Sequence, residues 1–255
     1  MDIQKIKDVL ENKAEHVAIK KAAIKYADAW STPTQVVKTA THKAEDNDTG
    51  VINLNIVGNT NYWMDSHEDV HVKGNWSKTI SDGGKKFHLH DHKFERTAQV
   101  GKFKSLEEKQ VLWADLGVDK DGYTQSLIGN TDVSKELNES IYNEYKNGEV
   151  DQHSVGMRYM KLDFAVSPEA YEDEEANKAW AEVYPLLGNP EKADEIGAFW
   201  VVREAKLIEI SAVLMGSNSL TPTLDNKQKP STDTSANDAA AKALRTKQFY
   251  INLNS

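Results

Sequence analysis

The chain has no cysteine among its 255 residues, which removes disulfides, thiolate zinc sites and cysteine nucleophiles together. A cytosolic or virion setting is the expectation. No stretch approaches the roughly 18 apolar residues that a membrane span needs, and the opening MDIQKIKDVLENK lacks the apolar core of a signal peptide. A soluble, unexported chain with no membrane partner is expected. Positive charge is not in excess either: 31 Lys and Arg stand against 40 Asp and Glu, for a formal charge of −9. Nucleic-acid affinity comes largely from basic side chains displacing condensed counterions, so nucleic acid is not an expected partner. Apolar residues are also sparse, at 39%, which suits one core with polar flanks.

What is present falls into three parts. Residues 1–49 open with a glycine- and proline-free run from Ile3 to Trp30 in which Ile3, Leu10, Val17 and Ile24 recur every seven positions, the spacing of a helix. Ile6 and Ala27 fit a companion stripe, but Lys13 and Lys20 do not. The pattern therefore predicts a short helix that docks on a partner or on the domain, not a long coiled coil. Residues 50–222 carry the core. Strands are predicted at 51–57, 87–92, 99–104, 111–115, 122–128, 153–166 and 199–215, with a helix over Val133 to Tyr145 that stops at Asn147-Gly148. An acidic insertion, 168–198, separates the last two strands. Residues 223–255 are small and polar, too poor in apolar surface to offset ordering entropy, and are expected to form a flexible tail.

Two histidine clusters invite a metal. His67-Glu68-Asp69-Val70-His71 matches HExxH, in which two histidines one helical turn apart bind zinc and the glutamate activates water. That chemistry needs a helix with an apolar face, whereas Asn59, Asn61, Asp65 and Ser66 precede the motif and Gly74 follows it. A solvated loop is the expectation. In His88-Leu89-His90-Asp91-His92, regular alternation would put three imidazoles on one strand face. Such a face suits a metal, or a general base at a strand end beside a carboxylate.

Two further residues stand out. Ser154, in Asp151-Gln152-His153-Ser154-Val155-Gly156, starts a strand just after a helix stop. It is either an ordinary strand serine or a nucleophile whose oxyanion is held by backbone donors around Val155 and Gly156. Glu209 interrupts the apolar run Leu207 to Met215. A carboxylate there either faces water on an edge strand or is buried against a partner such as an imidazolium.

Four blocks in order carry a family resemblance: DSHEDVHVKGNWSKTI at 65–80, HLHDHKFERTAQVG at 88–101, HSVGMRY at 153–159 and LIEISAVLMGSN at 207–218. Together they resemble the prohead maturation proteases of tailed phages, whose fold is similar to that of herpesvirus assemblin. The resemblance implies an α+β fold with a mostly antiparallel, barrel-like core and packed helices. It implies Ser154 as nucleophile, His92 as base with His90 in reserve, Glu209 orienting the imidazole, and Val155 and Gly156 at the oxyanion. It requires no cofactor and no metal. The implied substrates are scaffold and major capsid protein segments, cut inside the procapsid in the host cytoplasm, with self-cleavage in the tail after Pro222 and room for a homo-oligomer. Two rivals remain at this point: a zinc hydrolase built on 67–71, and an inactive scaffold or capsid-interaction protein with the same fold.

Overall fold

A computed structural model describes residues 3–24 and 49–224; the predicted tail beyond Leu224, and the part of the N-terminal helix predicted over 25–30, lie outside the described residues. The architecture is α+β. Eight strands, β1 (Val51–Thr60), β2 (Asp69–His71), β3 (Phe87–His90), β4 (Gln99–Leu112), β5 (Tyr123–Ser134), β6 (His153–Val166), β7 (Ala198–Ala212) and β8 (Thr223–Leu224), join in one sheet. Strand β7 is its hub. One edge of β7 pairs antiparallel with β6 from His153↔Ala212 to Val166↔Ala198. Its other edge pairs parallel with two short strands, β2 beside its start and β3 beside its end. From β3 the sheet continues antiparallel through β4, β5, β1 and β8. The sheet is thus mixed, antiparallel except at the two short partners of β7. Because β8 pairs with Asn55 and Ile56 of β1, the folded unit runs at least to Leu224, past the expected boundary at 222.

The main core lies between the inner face of this sheet and its helices. Val155 and Met157 of β6, Leu207 and Ile210 of β7 and Ile52, Leu54 and Ile56 of β1 are buried in one cluster with Tyr142 and Tyr145 of α4 (Glu139–Asn147). Helix α4 begins six residues later than the periodicity predicts, because Val133 and Ser134 complete β5. The Asn138 side chain caps it by accepting from Ile141 N, and Gly148 ends it with a left-handed φ of 76°. The strands predicted at 99–104 and 111–115 are one long strand, β4, followed by a single 3-10 turn.

The N-terminal run forms two helices, α1 (Ile3–Glu11) and α2 (Lys13–Ala22), broken at Asn12. Ile6 and Val9 of α1 join the main core. Lys20, a misfit in the apolar stripe, makes the second attachment: its Nζ lies 2.5 Å from Oδ1 of the fully buried Asp69 and above the rings of Tyr159 and Trp200. The misfit is thus a docking residue.

The acidic insertion is not a loop. It folds into α5 (Glu174–Val183), a 3-10 turn and α6 (Pro190–Ile196), and buries Trp180, Val183, Leu187 and Ala193 against Phe199, Val201 and Ala165. Those contacts lie at the far end of β6, about 35 Å along the strand from Ser154 at the usual rise per residue. The insertion therefore caps the opposite end of the hairpin.

Candidate active site

The register of β6 on β7 determines which side chains can meet. Ser154 lies directly opposite Ser211, and Gly156 opposite Glu209, with no irregularity between them. Directly paired residues project to the same face, and residues two apart on a strand share a face. Ser154, Gly156, Glu209 and Ser211 therefore form one patch on the outer face of the hairpin. His153, Val155, Ile210 and Ala212 point the other way, into the core.

The imidazole of His92 arrives from the end of β3. That strand ends at His90, and Asp91 and His92 then take φ of 51° and 55°. Two consecutive non-glycine residues in the left-handed region are uncommon, and the conformation is held by its surroundings. Asp91 N–H donates to Ala212 O, and His92 N–H donates to Ser211 Oγ. The turn carries the His92 ring onto the outer face, where Nδ1 lies 2.6 Å from Glu209 Oε1. Glu209 is fully buried and the His92 side chain is 9% exposed. The second carboxylate oxygen accepts from Ser211 Oγ–H at 2.6 Å. Glu209 is thus the buried, partnered carboxylate of the two readings, not an edge residue facing water.

Gly156 makes this arrangement fit. A Cβ there would lie 2.1 Å from Glu209 Oε1 and 2.9 Å from its carboxyl carbon, so the carboxylate occupies the space that any side chain at 156 would fill. The glycine has no left-handed φ. Its N–H is also committed. Val213 N donates to Gln152 O, while His153 N turns away from β7 to Thr221 Oγ1. Antiparallel alternation then directs the N–H groups of Ser154 and Gly156 into the ladder with β7 and that of Val155 away from it. Of the two expected oxyanion positions, only Val155 has its N–H directed out of the β6–β7 ladder.

The expected row of three imidazoles does not exist, because regular strand geometry ends at residue 90. His88 and His90 pair with Ile210 and Ala212 and so face the core side, opposite to Ser154. The geometry favours His92 over the reserve residue His90, whose Nδ1 lies 3.4 Å from Asp91. His88 joins a buried chain, Thr131 Oγ1–His88–Tyr145–His153–Thr221, with successive contacts of 3.0, 3.0, 2.8 and 2.8 Å. The Thr221 carbonyl only accepts, so His153 Nδ1 bears the proton and Nε2 accepts from Tyr145. The phenol oxygen then accepts from His88 Nε2–H, and His88 Nδ1 accepts from Thr131. Every donor is used once with both rings neutral. Burial pushes His153 down to about 4, and burial first, then the proximity of His153, holds His88 well below the usual histidine range.

The HExxH segment does not form the helix that a zinc site of that type requires. Residues 66–68 turn, with Glu68 at φ 60°, and 69–71 are β2. His71 is buried, takes Asn75 Nδ2 at 2.7 Å and stacks on Trp76. The expected solvated loop is also corrected: Asp69, Val70 and His71 are all buried.

Ser211 is the member of the site that residue reading does not assign. Its signal is its position two residues beyond an unexplained carboxylate on a strand, where the two side chains must share a face. No protein-family model, curated protein or solved structure matches the chain.

Proposed function

We propose that the chain is a serine endopeptidase of the prohead-maturation kind, with an assemblin-like core and Ser154 as nucleophile. The observation that carries this reading is the buried Glu209 carboxylate, 2.6 Å from His92 Nδ1 and backed by Ser211, on the same face as Ser154 and two residues along the hairpin from it. A carboxylate at Nδ1 fixes the tautomer and leaves Nε2 as the basic nitrogen, and it stabilises the imidazolium when that nitrogen takes a proton.

In this mechanism His92 Nε2 takes the Ser154 hydroxyl proton as Oγ bonds to the peptide carbonyl carbon. The carbonyl electrons move to oxygen, where the Val155 N–H donates to the oxyanion. Collapse breaks the C–N bond, and His92 returns its proton to the leaving amine. Water, deprotonated by the same nitrogen, then releases the acid from Ser154. Ser211 and Gly156 act through Glu209, one by hydrogen bonding and the other by leaving it room.

Scaffold and capsid segments inside the procapsid are the substrates in this reading, and the segment after Leu224 is cut by the protein itself. Mass spectrometry of purified protein tests both steps. Wild type should shorten with time at its C-terminus and cut scaffold protein added to it, and Ser154→Ala should do neither. Intact chains in wild type and variant alike would overturn the reading.

A further inference from the structure

The register that builds the site also places a cleft beside it. Phe87 pairs with Glu209 and Leu89 with Ser211, so both project to the outer face, one strand beyond the carboxylate. With Phe94, two residues past His92, they line a cleft of about 320 Å³. That volume is at the lower end for ligand pockets and suits one or two large side chains. The Phe94 ring stands edge-on to Phe87 at 6.4 Å and is 53% exposed. A half-exposed ring continuous with an apolar cleft, next to a histidine–carboxylate pair, differs from a scattered surface phenylalanine.

The rim is charged. Lys85, with its Nζ 4.7 Å from the centre of the Phe87 ring, and Arg96 flank the cleft, with Glu95 as the opposing charge. Lys85 and Gln99 also line a second groove of about 440 Å³, where Lys86, Lys102 and Lys104 gather over Phe103 and Leu106. Lys104 is engaged by Asp132 at 2.8 Å. Lys85, Lys86 and Lys102 pair with no carboxylate among the described residues. This positive surface lies on a chain whose formal charge is −9, so it reflects placement, not composition.

We propose that cleft and groove together are the substrate-selecting surface, and that they take an acidic segment bearing an aromatic or large aliphatic side chain. This rests on the serine-protease reading for its chemistry, although not for the binding itself. The strand spacing fixes the position of that side chain. Leu89 is two strands from Ser154, about 10 Å, or about three residues of extended chain. The selected apolar residue therefore sits about three positions from the scissile bond, and the acidic residues follow it outward along the lysines.

The test uses full-length Ser154→Ala protein and three fluorescently labelled peptides, read by anisotropy. One peptide carries phenylalanine with flanking glutamates, the second replaces the phenylalanine by alanine, and the third replaces the glutamates by lysine. The first should bind about tenfold or more tightly than either other, a size set by one large apolar group in a pocket. Phe94→Ala should erase its advantage over the second peptide, and Lys85→Glu its advantage over the third, each in protein with unchanged circular dichroism. Equal binding of all three peptides overturns the proposal. Selective binding without cleavage of any peptide by wild type would remove the protease reading and leave the surface standing; cleavage without selectivity would do the reverse.

Discussion

Strands β6 and β7 carry a histidine-centred polar group on each face, and the two behave oppositely. On the outer face His92, 9% exposed, meets the fully buried carboxylate of Glu209. On the inner face, one residue away in sequence from Ser154, His153 meets only neutral oxygens in the core. A neighbouring carboxylate stabilises an imidazolium, whereas burial among hydroxyls and carbonyls opposes one. The outer group pairs an imidazole with a carboxylate, and the inner one is a fixed strut whose donors and acceptors are already matched. Adjacent residues on one strand are sent to opposite faces by the pleat, Ser154 towards the carboxylate and His153 into the buried chain.

The sharpest way to break that contrast is to remove the base. His92→Ala should lower peptide hydrolysis on the order of 10⁴-fold or more, while His90→Ala on the core side should change it less than about tenfold. Comparable losses from both would mean that the face assignment is wrong. Glu209→Gln keeps the shape and removes the charge, and should cost about 10⁴-fold in kcat, with KM little changed.

Gly156→Ala comes next. Its methyl group cannot coexist with the observed carboxylate, so Glu209 must move and activity should fall about 10²-fold. A crystal structure of the variant with Glu209 unmoved would refute the role given to this glycine.

Substitutions on the inner face should act on stability instead. Tyr145→Phe leaves His153 Nε2 and His88 Nε2–H without their shared partner, a loss of about 2–4 kcal/mol in urea unfolding, with hydrolysis at low temperature largely kept. The smallest effect is on pH dependence. With His153 depressed to about 4 and an unfolded value near 6.5, the unfolded chain binds the extra proton first as pH falls. Stability should be level above about 6.5 and decline towards 4, by at most about 3 kcal/mol from this residue. Tyr145→Phe should alter that slope, and an unchanged profile would separate the decline from the buried chain.

Much of this was legible in the sequence, and the failures have physical causes. Strand β6 appears with the predicted bounds, 153–166, because a continuous β-favouring run between a glycine stop and a proline offers little alternative. Glu209 announced itself as a charge inside an apolar strand. The histidine cluster misled, because alternation holds only while the strand lasts, and the left-handed pair at Asp91-His92 has no glycine or Asn-Gly signature to mark it. In sequence Gly156 suggests backbone freedom for an oxyanion donor, whereas its φ is ordinary and its missing side chain makes room for a carboxylate from another strand 53 residues later. Lys20 looked like a break in a helical stripe, because its buried partner Asp69 is a contact between distant parts of the chain.

The central claim is that Ser154 is activated by the His92–Glu209 pair, and a fluorophosphonate tests it without knowledge of the substrate. Peptide mapping after labelling should find the adduct on Ser154 in wild type, strongly slowed formation in Glu209→Gln and none in His92→Ala. No adduct, or one on another serine at equal rate in all three proteins, would contradict the account.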